Sequence, residues 1–299
     1  MKKPVQILLY SALLLLVIMC NRKDSAANQA DTILEGKTSI VVDESLYPII
    51  EDQLAVFESS YKAKITLIPK SETEAMQTFL RDSVKIIILT RELTPEENKF
   101  FASKNRFPKV TNFAKDAIAL IANKQRSDTL VALRDVVDFM QGKTVGSVKG
   151  LVFDNPNSGT VHYMNRLAGL TAIPAKGVYS FKTTAEVIKF VSQNPGMIGI
   201  VGINWIAQPT PEIESYLKNI NVLNVQGLDK QGYYAPTQNN LAEGTYPLAR
   251  DLFLANSQGY DGLGMGFASF IAGDRGQRII LQSGLLPARI PSRKIHIVK

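Results

Sequence analysis

Cysteine occurs once in the 299 residues, tryptophan once and histidine twice. With Cys20 alone there is no intramolecular disulfide, so the fold must rest on its apolar core. Cys20, His162 and His296 are too few for a metal cluster, and neither a metal nor another cofactor is expected. Basic blocks are missing as well. The net charge of +7 is spread along the chain without aromatic–basic interleaving, so nucleic acid is not an expected partner. The one long apolar run covers residues 5–19; no stretch repeats and none is of low complexity.

That run follows Lys2 and Lys3 and ends at Cys20. A basic start and an apolar segment too short for a good membrane span predict an export signal over residues 1–19. A lone cysteine directly after it resembles the lipid-accepting residue of bacterial lipoproteins, although Met19 stands where that motif usually has Gly, Ala or Ser. An uncleaved anchor, or an ordinary signal with an incidental cysteine, is the alternative. Residues 20–36 are polar and small and are expected to form a flexible tether. Without Lys2 and Lys3 the chain has 32 Lys and Arg against 27 Asp and Glu, a net +5. That sign is compatible with an anionic ligand but does not argue for one.

About 265 residues remain, enough for one or two domains with a substantial core. Strand and helix patterns alternate. Residues 38–42 read as a strand, 46–61 as a helix, 64–68 as a second strand and 85–89 as a third. Ser71-Glu72-Thr73-Glu74 and Thr94-Pro95-Glu96-Glu97 are capping boxes that open helices. This order predicts a mostly parallel sheet covered on both faces. A second unit carries a strand at 117–122, a helix at 129–140, the strand–turn–helix of 151–170, a helix at 183–191 and strands at 197–201 and 222–225. The stretch 246–255 and helices near 267–272 and 277–281 close the pattern.

The most informative segment is LVFDNPNSGTVHYM, residues 151–164. A strand end runs through Asp-Asn-Pro-Asn turn chemistry into Ser158-Gly159-Thr160 at the start of a helix. Unpaired N–H groups and the positive end of the backbone dipole make such a start an anion site. Asn157 or Ser158 acting as an ordinary N-cap is the plainer reading. Other strand ends carry hydroxyls too: Asp43-Glu44-Ser45 after the first strand, Ser71 after the second, Thr90-Arg91 after the third. In open parallel sheets ligands sit at these ends. One guanidinium, several hydroxyls and two or three helix starts would cradle a tetrahedral oxyanion. Each also has a plain reading: Ser45 and Ser71 as caps, Arg91 as a surface pair with Glu92. Ser158 and His162 invite a nucleophile–base reading, but the base points past the helix start and no third orienting group is evident.

Ordered along the chain, these motifs resemble the phosphate-binding, PstS-like branch of periplasmic substrate-binding proteins of ABC importers, from about residue 38 to 287. Ser45-Leu46-Tyr47-Pro48 resembles that family's first ligand loop, Ser71 falls at its second, and Thr90-Arg91 is similar to its third. Residues 114–124 resemble the crossover strand, and Ser158-Gly159-Thr160 the phosphate loop. Gly196-Met197-Ile198-Gly199-Ile200 and 276–284 resemble a later strand and the C-terminal helix. The resemblance implies a two-lobed type II fold, with lobe 1 at 37–115 and 235–299 and lobe 2 at 116–234. It further implies a ligand set of Ser45, Leu46, Ser71, Thr90, Arg91, Asn157, Ser158, Gly159 and Thr160. An oxyanion, phosphate first, would be captured by a monomer and passed to an inner-membrane ABC permease. The protein would be lipid-anchored in the cell envelope through Cys20 and would not be an enzyme. Two departures stand out. The family often has Arg four residues before the loop serine and Asp two before it; here these are Asp154 and Pro156. Arg91 is then the expected cation unless another Lys or Arg reaches in, and Asp154 or Glu44 could supply the acceptor carboxylate. A sensor of the same fold, or a binder of sulfate or molybdate, is the alternative.

Overall fold

The computed structural model describes residues 31–229 and 231–291. The signal segment, Cys20, most of the tether and His296 lie outside them.

The strands, in chain order, are β1 (Glu35–Asp43), β2 (Lys62–Lys70), β3 (Ile86–Leu89), β4 (Lys109–Asn123), β5 (Leu130–Ala132), β6 (Gly150–Phe153), β7 (Val178–Ser180), β8 (Met197–Gly202), β9 (Ile220–Val222), β10 (Asn224–Gln226), β11 (Ala249–Asn256) and β12 (Leu286–Pro287). The helices are α1 (Tyr47–Ser60), α2 (Glu72–Leu80), α3 (Pro95–Ser103), α4 (Leu133–Met140), α5 (Gly159–Ala168), α6 (Thr184–Gln193), α7 (Asn204–Ala207), α8 (Glu214–Leu217), α9 (Gln238–Ala242), α10 (Leu263–Ala272) and α11 (Asp274–Gln282).

The main sheet runs β2-β1-β3-β11-β4-β8-β6-β7, with β12 and β9 also paired to β4. Its outer pairs are parallel, β1 with β2 and β3 on one side and β6 with β7 and β8 on the other. The centre is antiparallel, because β11 and β4 run against each other and against their outer neighbours. The sheet is therefore mixed where a mostly parallel one was expected. β4 accounts for the difference: its 15 residues pair first with β11, up to Ala117, and then with β8 from Ile118. One strand thus belongs to both halves of the molecule.

Burial follows the strand period of two. In β3, Ile86 and Ile88 join one apolar cluster while Ile87 and Leu89 join the other. A strand buried on both faces needs helices on both, which the two capping boxes provide: Ser71 and Thr94 each bond the N3 backbone of α2 and α3. On the other face Phe57 of α1 meets Phe267 and Phe270 of α10 edge-on at 5.5 and 5.3 Å. Such pairs add about 0.5–1.5 kcal/mol beyond burial.

Three readings of the sequence change, and one strand had none. The stretch 129–140 is not all helix, because Leu130–Ala132 pairs in parallel with β10 before α4 begins. The apolar run at 222–225 is two strands, since the chain leaves β4 for β5 at Leu223. β7 carried no clear pattern; it is a three-residue edge strand with two exposed residues. The tether ends early: the Asp31 carboxylate accepts from the Leu263 N–H and from Gln258 and Tyr260. A methyl on Gly266 would lie 1.7 Å from the Ile33 carbonyl oxygen, so glycine there lets this segment lie against α10. Among the described residues no helix is long and apolar enough to cross a membrane.

Candidate functional site

The loops at the carboxyl ends of β1, β3 and β6 meet where the two halves of the sheet touch. β1 ends at Asp43, whose carboxylate accepts the Ser45 N–H at 3.0 Å and so shapes the single 3-10 turn of Glu44–Leu46. Its second oxygen reaches 116 residues along the chain to the Gly159 N–H, 2.9 Å away, at the start of α5. Ser158 caps that helix with a bond from the Val161 N–H at 3.2 Å, and its hydroxyl donates to Asp154 at 2.5 Å.

Between these loops lies Arg250, 4% exposed. It stands opposite Asp116 in the β11–β4 register and donates to it from Nε and Nη2 at 2.9 and 2.8 Å. Its remaining reach goes to Thr160 Oγ1 at 3.2 Å and Ser45 Oγ at 3.3 Å. One guanidinium thus joins a hydroxyl from each half, within a cluster where Asp43, Ser45, Asp154, Ser158 and Thr160 are all buried. Arg250 comes from a part of the chain remote from these loops. The mark it leaves in the sequence is one base in an apolar strand and one acid in another. Nothing local says that the two pair.

Arg91 is engaged differently. Nε donates to Glu72, and both terminal nitrogens donate to the Glu97 carboxylate, each at 2.9 Å. The expected main cation is therefore a clamp between α2 and α3, held by Glu72 and Glu97 and not by Glu92, whose backbone carbonyl alone it touches. Ser71 spends its hydroxyl on the capping box with Glu74. Leu46 is buried in the apolar core. Asn157 is exposed, with its carbonyl accepting from the Thr73 N–H at 3.2 Å. Thr90 is buried and donates to Glu72 at 3.3 Å. The structure thus gathers Ser45, Thr90, Ser158, Gly159 and Thr160, and sets Leu46, Ser71, Arg91 and Asn157 around them. Ser158 and His162 bond separate carboxylates, Asp154 and Glu72, instead of each other.

The acids are many, and their environments set their charge. Burial pushes Asp154 well above the usual carboxylate range, with the Ser158 hydrogen bond opposing and the charges of Glu44 and Asp43 adding. Asp43 is raised by burial and then by Glu72, against Arg250. Glu72 goes the other way: burial would raise it, but the His162 bond and the Arg91 charge hold it at about 2. Glu44 bonds the Thr184 N–H and hydroxyl at the start of α6, yet burial lifts it to about 7. Beside the Glu72–His162 contact a cleft of about 390 Å³ opens, lined by Met76, Arg91, Tyr163 and Arg166 among others.

Glu44 gives a pH prediction. Its carboxyl is raised in the folded state, so the native protein holds more protons than the unfolded chain between the ordinary value of 4.5 and about 7. Stability should fall as pH rises through that window. Thermal melts should show this slope in the wild type and a flatter profile in Glu44→Gln; equal slopes would place Glu44 in a more hydrated setting.

Two halves joined through a shared strand, with hydroxyls and helix starts facing each other across the join, define a two-lobed fold. A family model described as the PBP superfamily domain matches residues 25–275, and the chain belongs to that superfamily. Solved structures share the fold. A Clostridium perfringens protein solved with bound phosphate superposes with a TM-score of 0.71 at 18% identity, covering 85% of this chain and 100% of its own. An ABC-type phosphate transport receptor from Vibrio cholerae gives 0.63 at 16% identity over 84% and 100%. The reduced regulatory domain of OxyR2 from Vibrio vulnificus gives 0.52 at 9% identity over 82% and 100%. No curated protein sequence matches the chain.

Proposed function

We propose that the chain is a lipid-anchored solute receptor that holds an oxyanion, inorganic phosphate first, between lobes 37–115 with 235–299 and 116–234, for an ABC permease. The observation that carries this reading is the Arg250 guanidinium reaching Ser45 and Thr160 from opposite halves, beside the Gly159 N–H. A guanidinium fork, two hydroxyls and a helix start are the donors a tetrahedral anion needs. The ligand set is thereby revised to Ser45, Thr90, Ser158, Gly159, Thr160 and Arg250. Useful affinity is about micromolar, roughly −8 kcal/mol.

The buried carboxylates favour phosphate over sulfate. At neutral pH phosphate keeps a proton that Asp154 can accept, whereas sulfate presents only lone pairs to it. The likeness to phosphate-binding structures supports the reading at the level of the fold. The Ser158–Asp154 and His162–Glu72 bonds favour a binder over an enzyme. A sensor of the envelope is the second reading, favoured by the Asp43 carboxylate already bonded to the helix start. Calorimetric titration with phosphate, sulfate and molybdate tests the proposal. Micromolar phosphate with much weaker sulfate supports it, and binding of none points to the sensor.

The anchor has its own test. Cys20 is expected at the mature N-terminus with an acylated thiol, and mass spectrometry of membrane-extracted protein should show that mass. An intact leader, or a soluble protein beginning elsewhere, would contradict it.

A further inference from the structure

The start of α5 is both the centre of the proposed oxyanion site and a place where the two halves touch. A methyl built on Gly159 would lie 2.3 Å from Thr90 Oγ1, 2.5 Å from Asp43 Oδ2 and 2.8 Å from Glu72 Oε2. No heavy atom fits beside the Gly159 α-carbon, and its N–H is already bonded to Asp43, so an anion cannot take that N–H in this arrangement. An anion and the Asp43 carboxylate must use the Gly159 N–H in turn.

Resting on the oxyanion reading above, we propose that Asp43 is an internal competitor of the ligand, a carboxylate of one lobe that plugs the anion-binding helix start of the other. Buried N–H groups at a helix start need an acceptor, and Asp43 provides a charged one at 2.9 Å while bonding its own turn at Ser45. The same bond ties lobe 1 to lobe 2, so the plug also holds the halves together before ligand arrives. The ligand's gain on binding is then the difference between its own contacts and this one.

Charge makes the plug sensitive to pH. Asp43 is faced by Glu44 and Ser45 on its own turn, Glu72 from α2, Thr90 after β3, Asp154 after β6, Gly159 from α5 and Arg250 from β11. Four of these eight groups, Asp43 included, are carboxyls; burial raises Asp43 most, the Glu72 charge adds to it and Arg250 opposes. As the pH falls Asp43 takes up a proton and its hold on the Gly159 N–H weakens.

The test compares wild type with Asp43→Asn, which keeps the size of the turn residue and removes its charge, and with Asp43→Ala, which removes the acceptor. Phosphate affinity is measured by calorimetry from pH 5.5 to 8.5, with thermal melts to establish folding. The ratio of variant to wild-type affinity cancels the titration of the anion itself. For Asp43→Asn it should be about tenfold or more at the alkaline end of the range and shrink as the pH falls, and Asp43→Ala should bind more tightly than wild type at the alkaline end. In ligand-free protein the Gly159 amide proton should shift with pH in the wild type and not in Asp43→Asn. If phosphate binds the wild type and both folded variants bind it equally or more weakly, the plug is overturned while the oxyanion reading stands. If no variant binds an oxyanion although the Gly159 amide titrates, the oxyanion reading fails and takes the competitor role with it.

Discussion

Replacing Arg250 with lysine is expected to lower phosphate affinity by about 100-fold while the protein still folds. Lysine keeps the charge but has a single point donor, so it cannot pair with Asp116 through two bonds and also reach Ser45 and Thr160. Arg250→Ala should abolish binding and also cost about 3–5 kcal/mol of stability, because Asp116 would be left as an uncompensated buried charge. The double variant Asp116→Asn with Arg250→Gln removes both charges together. It should recover much of that stability without recovering affinity. By contrast, Arg91→Ala should leave phosphate affinity within a few-fold of wild type, because its guanidinium already serves Glu72 and Glu97. Calorimetry on Arg250→Lys and Arg91→Ala separates the two cations; the reverse order of effects would restore Arg91 as the ligand.

Gly159→Ala is expected to be as severe and for a different reason. Alanine is the better helix former, so α5 itself does not lose from the change at its first position. The added methyl would lie 2.3–2.8 Å from three oxygens of the opposing half, and the short, buried Thr90 side chain has little room to retreat. The halves should stay apart, with phosphate affinity down at least 100-fold and a larger radius of gyration in small-angle scattering. Gly169→Ala is the control. That glycine ends α5 at φ +67 with open space where its Cβ would go, so the substitution strains the C-cap and leaves the closing surface alone. Its cost should appear in the melting temperature and not in the affinity. Equal phosphate binding by wild type and Gly159→Ala would mean that the anion sits away from this contact.

Much of the fold was legible because it is written locally. Ser71 and Thr94 with their capping glutamates opened the two expected helices, and the Ser158 cap fixed the start of α5. The Ile86–Leu89 run announced a strand buried on both faces. What sequence could not supply is pairing across distance. Nothing near Ala117 says that β4 changes partners there, and nothing near Leu130 says that a strand at 224–226 will claim it. The site divides the same way. Ser45, Gly159 and Thr160 stand at recognisable strand ends. Arg250 pairs with Asp116, 134 residues distant, and sits near the start of β11 where a charge is easily taken for an outward-facing one. Arg91 is the converse case: a base at a strand end reads as a ligand, while in the fold two nearby acids bind it.

An oxyanion is expected to bind where Arg250, Ser45 and Thr160 converge beside the start of α5. Arsenate has the shape and charge of phosphate, and its arsenic can be located by anomalous scattering. Crystals of the mature protein grown with arsenate should therefore show one strong anomalous peak within hydrogen-bonding reach of the Arg250 guanidinium and the Gly159 N–H, with Asp43 turned away from it. An anomalous peak at Arg91 in the outer cleft, or none between the lobes while Asp43 still holds Gly159, would contradict the account.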